Sequence, residues 1–475
     1  MSDKEFISRR STLKGIGTMG AFAFLDRETV LGGDAVLSND IRNEIFQKVF
    51  QTPFIDTHEH LIEEKDRLIG NSHPRVLCDD WTLIFNHYLN SDMLSAGMPD
   101  DVYKKFFSPA VDPLDKWILL EPYWLSIKNT GTGQAVCIAL KELYGVEELS
   151  SRTVKNVQTG YETVRRPGFY KHVLCDLANI ESCQVNSLEG APFKESDMPT
   201  LLMQDISIVG MFAGPDFKQF GEPTGITVTS LPDWHRVIDW WFNKYAKYAV
   251  AVKSQNAYAR DIDYEKVPAE NAEGIFKKRL NKDPLTAEEQ KKLEDHLFWY
   301  AVEKATEFNL PVKLHTGVYG GNNGMPLSRL IKNPGSAAQL CRSALNTNFV
   351  FMHICYPYYE EMIALAKHYT NAYVEMSFAW ICNPLASKDF LKKFLVTAPA
   401  NKLLPFGADY LYAEPVLGHA AIARRGIALA LSELVEEGWL SLKNALELTD
   451  PIMHGNARRI FNLEEKEKIL KMVKW

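Results

Sequence analysis

The sequence predicts an α/β fold: a (β/α)8 TIM barrel with a large, mainly helical insertion after its first strand. Three observations point to it. Short apolar runs ending in polar residues occur at 53–56, 180–185, 201–206, 248–253, 310–315, 349–353, 372–377 and 403–409. Helical periodicity fills most of the gaps between them, as in a parallel barrel. Finally, about 120 residues separate the first two runs, where one barrel unit needs roughly 30 to 40.

Taken from the N-terminus, Ser8-Arg9-Arg10-Ser11-Thr12-Leu13-Lys14 precedes an uncharged stretch from Gly15 to Leu25. This outline is that of a twin-arginine export signal, although Thr12 stands where Phe is common. Residues 1–30 are therefore set apart as a signal, which makes the export machinery a partner and the bacterial periplasm the expected destination. The apolar stretch falls short of the roughly 20 residues a membrane-spanning helix needs, so no stable membrane anchor is expected.

The remainder, 50–465, reads as one barrel. Apolar residues recur at three- and four-residue steps over 234–248, 288–308, 358–368 and 420–437, the pattern of helices with one buried face. Residues 62–178, rich in Trp and Tyr, read as a helical cap, and a short charged insertion follows at 260–290. Both follow strands and so sit over the C-terminal mouth, where barrel enzymes work. A net charge of −7 argues against nucleic-acid binding, since no basic excess is present to neutralise phosphates. Seven scattered cysteines without a CxxC suggest neither a zinc ribbon nor a disulfide framework. A small-molecule substrate is favoured.

The chemistry concentrates at strand ends. Phe54 to His60 is an apolar strand finishing in His-x-His, and side chains two apart on a strand share a face, so His58 and His60 can meet one ion. Glu59 points the other way and takes no role. His315, His353 and Asp409 finish later strands in the same manner. Each alone is more often structural, but C-terminal strand ends converge on one mouth, and together they read as a metal site.

At this point the chain resembles the amidohydrolase superfamily, in particular its amidohydrolase-related branch. The resemblance rests on IDTHEHL at 55–61, VKSQNAYARDI at 252–262, VKLHTG at 312–317, VFMHICYPY at 350–358, YVEMS at 373–377, FGADY at 406–410 and GNARRIF at 455–461. It implies His58, His60, His315 and Asp409 as ligands of a divalent metal, with Zn2+ expected, and Asp409 as proton shuttle. His353 becomes a second-metal ligand or a donor polarising the substrate. Lys253 stays open: a carboxylated bridge between two metals, an ordinary residue beside a single metal, or a cation pairing with Asp409 or an acidic substrate.

Tyr258 and Arg260 follow the fourth strand and are candidate substrate contacts. An Arg fork there can clamp a carboxylate, though pairing with Asp261 or Asp263 is an equal alternative. Glu375 reads as a ligand-orienting group or a core-edge carboxylate. Arg424-Arg425 and Arg458-Arg459 read as solvated helix faces or helix-end charges. The expected activity is metal-assisted hydrolysis of a C–N or C–O bond in a small polar molecule. Lyase or uronate-isomerase-like chemistry on a sugar acid or carboxylic acid, and a non-catalytic metal-binding role, are the alternatives. Fold alone does not choose among them.

Overall fold

The computed structural model describes residues 39–475; the export signal read in residues 1–30 lies outside the described residues. Among the described residues, nine short parallel strands appear: β1 (Phe54–Glu59), β2 (Ile180–Val185), β3 (Leu202–Gln204), β4 (Ile206–Ser207), β5 (Val252–Ser254), β6 (Val312–His315), β7 (Phe349–Met352), β8 (Ala372–Glu375) and β9 (Leu403–Leu404). They form two ladders, β1 to β3 and β4 to β9 in order. All of β1 and β5 to β8 is buried, as expected where helices cover one side of a parallel sheet and packed side chains fill the other.

Backbone hydrogen bonds join the two ladders into a ring. Asp205 N donates to Val185 O and Ile206 N to Ala251 O at one seam, while Thr57 N to Phe406 O and Asp409 N to His58 O close the other. The run expected as one strand over 201–206 thus divides into β3 and β4 at Asp205. That carboxylate accepts from Lys313 Nζ at 2.9 Å inside the barrel. The last run forms a ladder only at Leu403–Leu404. Beyond Pro405 the chain follows β1 instead, and Asp409 turns left-handed at φ 66.

The helices match the sequence pattern with displaced ends. Leu231–Tyr245 starts where the Ser230 side chain accepts from Asp233 N, with Pro232 in the first turn. Ala287–Glu307 begins in a Thr286/Glu289 capping box. Helix Glu414–Glu436 begins well before the apolar periodicity becomes evident at Ala420, with Pro415 in its first turn. Between β1 and β2 the chain runs through helices Leu89–Ser95, Asp100–Phe106, Lys116–Ile127, Gly131–Tyr144 and Val154–Val164. These pack around a core of their own that includes Trp81, Phe85, Phe106, Trp117, Trp124 and Tyr161. The charged stretch 260–290 contains helix Ala269–Asn281.

A further expectation fails at a buried arginine. Arg424, read as part of a solvated helix face, is fully buried. Its guanidinium donates to the carbonyls of Val49, Thr52, Ala178 and Asn179, tying helix Asn39–Gln51 and the approach to β2 onto helix Glu414–Glu436. Periodicity misplaced it because a long cation can enter a core when backbone carbonyls accept from its terminal nitrogens. Arg458, by contrast, is part-exposed and pairs with Glu181 and Glu467, as helix-end charges do.

Candidate metal centre and cavity

His58 and His60 leave β1 on one face, their rings 4.7 Å apart. The left-handed turn at Asp409 brings its carboxylate over them: Oδ1 lies 3.1 Å from His58 Nε2 and 3.2 Å from His60 Nε2. All three side chains are buried. Two glycines make the approach possible. A Cβ on Gly407 would stand 2.9 Å from His58 N and 2.8 Å from Glu375 Oε1, and one on Gly317 would stand 2.6 Å from His353 O.

This donor set fits a divalent metal. Ligands held about 2.0–2.1 Å from a tetrahedral Zn2+ are separated by roughly 3.3 Å, close to the observed nitrogen–oxygen spacings. Burial, and next Lys253, holds His58 well below the usual imidazole range, and a neutral imidazole is the ligating form. Burial opposes the charge on Asp409, but His58 and His60 outweigh it and hold that carboxyl well below its usual range. The far nitrogen of His60 faces Asn186 O at 2.7 Å, an outer contact that fixes the ring. His58 Nδ1 is buried without a hydrogen-bond partner.

His315 and His353 reach the same place but meet each other first. His353 Nε2 lies 3.0 Å from His315 Nδ1 and 3.8 Å from Asp409 Oδ2, while His315 Nε2 faces Val318 O at 3.1 Å. At this site the ligand atoms gathered within mutual reach are those of His58, His60 and Asp409; His315 is not among them. Burial lowers His353 to about 3 and, with His353 and Lys253 beside it, lowers His315 as well.

Lys253 Nζ is fully buried, 3.3 Å from His58 Nε2 and 2.8 Å from Met352 Sδ. Burial brings its pKa down to about 8. Glu375 accepts from Thr57 Oγ1 at 3.2 Å, and burial lifts it to about 8. Glu59 does point away from the histidines, but into a buried pair with Asp56, where it accepts from Tyr410 N at 2.6 Å. Burial pushes both carboxyls upward.

A cavity of about 460 Å³ opens onto the cluster, lined by His60, Asp409, His315, Tyr258 and, from the cap, His87, Tyr88, Asn90 and Ser91. Tyr258 lines this cavity, its hydroxyl accepting from Gly320 N at 3.0 Å. Arg260 does not offer a free fork: it is taken by Glu294 at 3.0 Å and by Asp295. Sequence reasoning missed His87 and Tyr88, which line the cavity together with Asp409. It also missed Gln255, whose Nε2 is 3.0 Å from His60 Nε2. Gln255 sits in a recognised stretch next to Lys253, so its position was the available signal; the cap pair His87-Tyr88 has no periodic or spacing signal.

Comparison with known proteins agrees with this picture. Residues 279–463 match the family model described as amidohydrolase. The fold superposes on a uronate isomerase from Thermotoga maritima with TM-score 0.72 and 15% identity, covering 91% of this chain and 99% of that one. It also superposes on a glucuronate isomerase from Caulobacter crescentus with TM-score 0.68 and 15% identity, covering 90% and 94%. Protein fluG of Emericella nidulans is 27% identical over 167 residues, which is 34% of this chain and 18% of that much longer protein.

Proposed function

For this chain, which matches the amidohydrolase superfamily in motif and in barrel, we propose a metal-dependent hydrolase that cleaves a C–N or C–O bond of a small polar substrate. The observation that carries the reading is the meeting of His58 Nε2 and His60 Nε2 on one oxygen of Asp409 at the floor of the cavity. A bound divalent metal, Zn2+ in our reading, would be held by these three residues with His315 beside them; it would lower the pKa of a water to about 7 and polarise a carbonyl. One ion suffices for this donor set, and a second would require carboxylation of Lys253.

The chain's own groups supply the proton traffic. The second oxygen of Asp409 can take the proton of an attacking water and return it to the leaving group. Tyr88, from the cap, lines the cavity beside that carboxylate. His353, neutral at ordinary pH and 3.8 Å from Asp409 Oδ2, can donate to an oxygen that becomes negative. Tyr258 and the cap residues exclude bulk water and orient the substrate.

One observation favours a second reading, isomerisation of a sugar acid. The ionised Asp409 carboxylate and the Tyr88 hydroxyl line the same cavity, a base and an acid that could move a proton between adjacent carbons. Turnover in H2-18O separates the two. Hydrolysis places one heavy oxygen in a product, whereas isomerisation leaves product mass unchanged in H2-18O apart from carbonyl exchange and takes deuterium at carbon from D2O. We also read residues 1–30 as directing export to the periplasm; cell fractionation with Arg9→Lys and Arg10→Lys variants tests it.

A further inference from the structure

Arg75 lines a small cleft that shares His60 and Leu188 with the cavity. The backbone holds it on both sides: Arg75 N donates to His73 Nδ1 at 3.3 Å, and its carbonyl accepts from the Tyr412 hydroxyl. Its guanidinium donates to the carbonyl of Leu188. Among the described residues, no carboxylate pairs with it.

That is unusual in this neighbourhood. Arg67 holds Glu414, Lys116 holds Asp80, Lys194 holds Glu189 and Arg260 holds Glu294. The two acids lining the cleft are engaged elsewhere, Glu189 by Lys194 and His73, and Glu63 by Asp197 N at 3.1 Å. A half-buried guanidinium with donors to spare, beside the candidate metal ligands, lacks only an anion. Its planar fork matches a carboxylate in two parallel hydrogen bonds.

We propose that Arg75 is the carboxylate-binding residue of the substrate site, so that the enzyme acts on small acids whose reactive carbon lies over His58, His60 and Asp409. This rests on the reading that the cavity is the substrate site, and it holds for either chemistry above. It replaces Arg260, whose fork is filled, as the anion clamp.

The test is calorimetric binding of D-glucuronate, N-acetyl-L-glutamate and glutarate, each against its methyl ester, to the metal-loaded protein and to Arg75→Gln and Arg75→Lys. At least one acid is expected to bind about tenfold or more tighter than its ester, the worth of a charged hydrogen-bonded pair. Arg75→Gln is expected to erase that preference without altering ester affinity, metal content or melting temperature, and Arg75→Lys to restore part of it. No acid preference in the wild type, or one that survives in Arg75→Gln, overturns the proposal. Turnover is scored separately: an Arg75-dependent preference with no conversion of any acid would leave the subsite standing and count against the hydrolase reading.

Discussion

His353 and Asp409 approach each other on the carboxylate oxygen that the other histidines leave alone: His353 Nε2 faces Oδ2 at 3.8 Å, whereas His58 and His60 both meet Oδ1. Asp409 can therefore ligate with one oxygen and handle a proton with the other. His353 and His315 are coupled through their 3.0 Å contact, so removing either one disturbs its partner.

This division of labour predicts different outcomes along the cluster. His58→Ala should lose the metal, because it removes a donor from the compact set. His353→Gln should keep the metal and lose turnover by about 10²- to 10⁴-fold, the usual worth of a positioned proton-transfer group. Asp409→Asn should lose turnover at least as far. Elemental analysis beside steady-state kinetics checks all three; a metal-free His353→Gln would make His353 a ligand instead.

Lys253 predicts a count. Its amine is buried against His58 and Met352, with burial drawing it down to about 8. If it serves a single-metal site, Lys253→Ala retains about one metal per chain. If it is carboxylated and bridging, wild type holds about two and the variant loses at least one, a loss that bicarbonate cannot restore. We expect the first outcome.

How much of this the sequence disclosed follows from what each element depends on. β1, β6 and β7 were legible because each is a buried apolar run with a polar end, and their register follows from parallel pairing. The candidate ligand positions His58, His60 and His315 at strand ends were legible for the same reason. Asp205 and Asp409 were harder: one breaks a strand to meet Lys313, the other is turned by a left-handed backbone, and neither event has a periodicity. Tyr88 was illegible as a site residue because only tertiary packing, its ring stacked on Phe378 and edge-on to Tyr410 of the barrel, carries it to the cavity. Arg424 was misread because a solvated and a carbonyl-satisfied guanidinium look identical in a heptad pattern.

Arg424 accordingly predicts a large stability effect. Arg424→Met keeps much of the volume but leaves the carbonyls of Val49, Thr52, Ala178 and Asn179 without that donor in a dry core. Unpaired buried polar groups cost about 1–3 kcal/mol each before relaxation, so a loss of at least about 3 kcal/mol is expected. Urea unfolding of the two proteins measures it. A loss below 1 kcal/mol, roughly the cost of an ordinary surface change, would mean that the helix contacts do not depend on this residue.

A final prediction concerns pH and stands far from the cavity. His235 on helix Leu231–Tyr245 faces His296 on helix Ala287–Glu307, Nε2 to Nε2 2.9 Å, while His296 Nδ1 faces Val267 O at 2.8 Å. His235 also stacks on Tyr300, whose hydroxyl donates to Asp239; Lys304 lies 3.4 Å from the same carboxylate. Two facing nitrogens can share one proton but not hold two. Burial, and then His296, lowers His235 from 6.5 to about 4, with Asp239 opposing. A histidine with a depressed pKa binds fewer protons folded than unfolded across that window, so stability is complete above about 6.5 and declines as pH falls toward 4. His235→Gln keeps a partner for His296 but cannot titrate. The wild type should lose melting temperature more steeply than His235→Gln between pH 7 and pH 4.5, and parallel curves would show that the pair carries no such linkage.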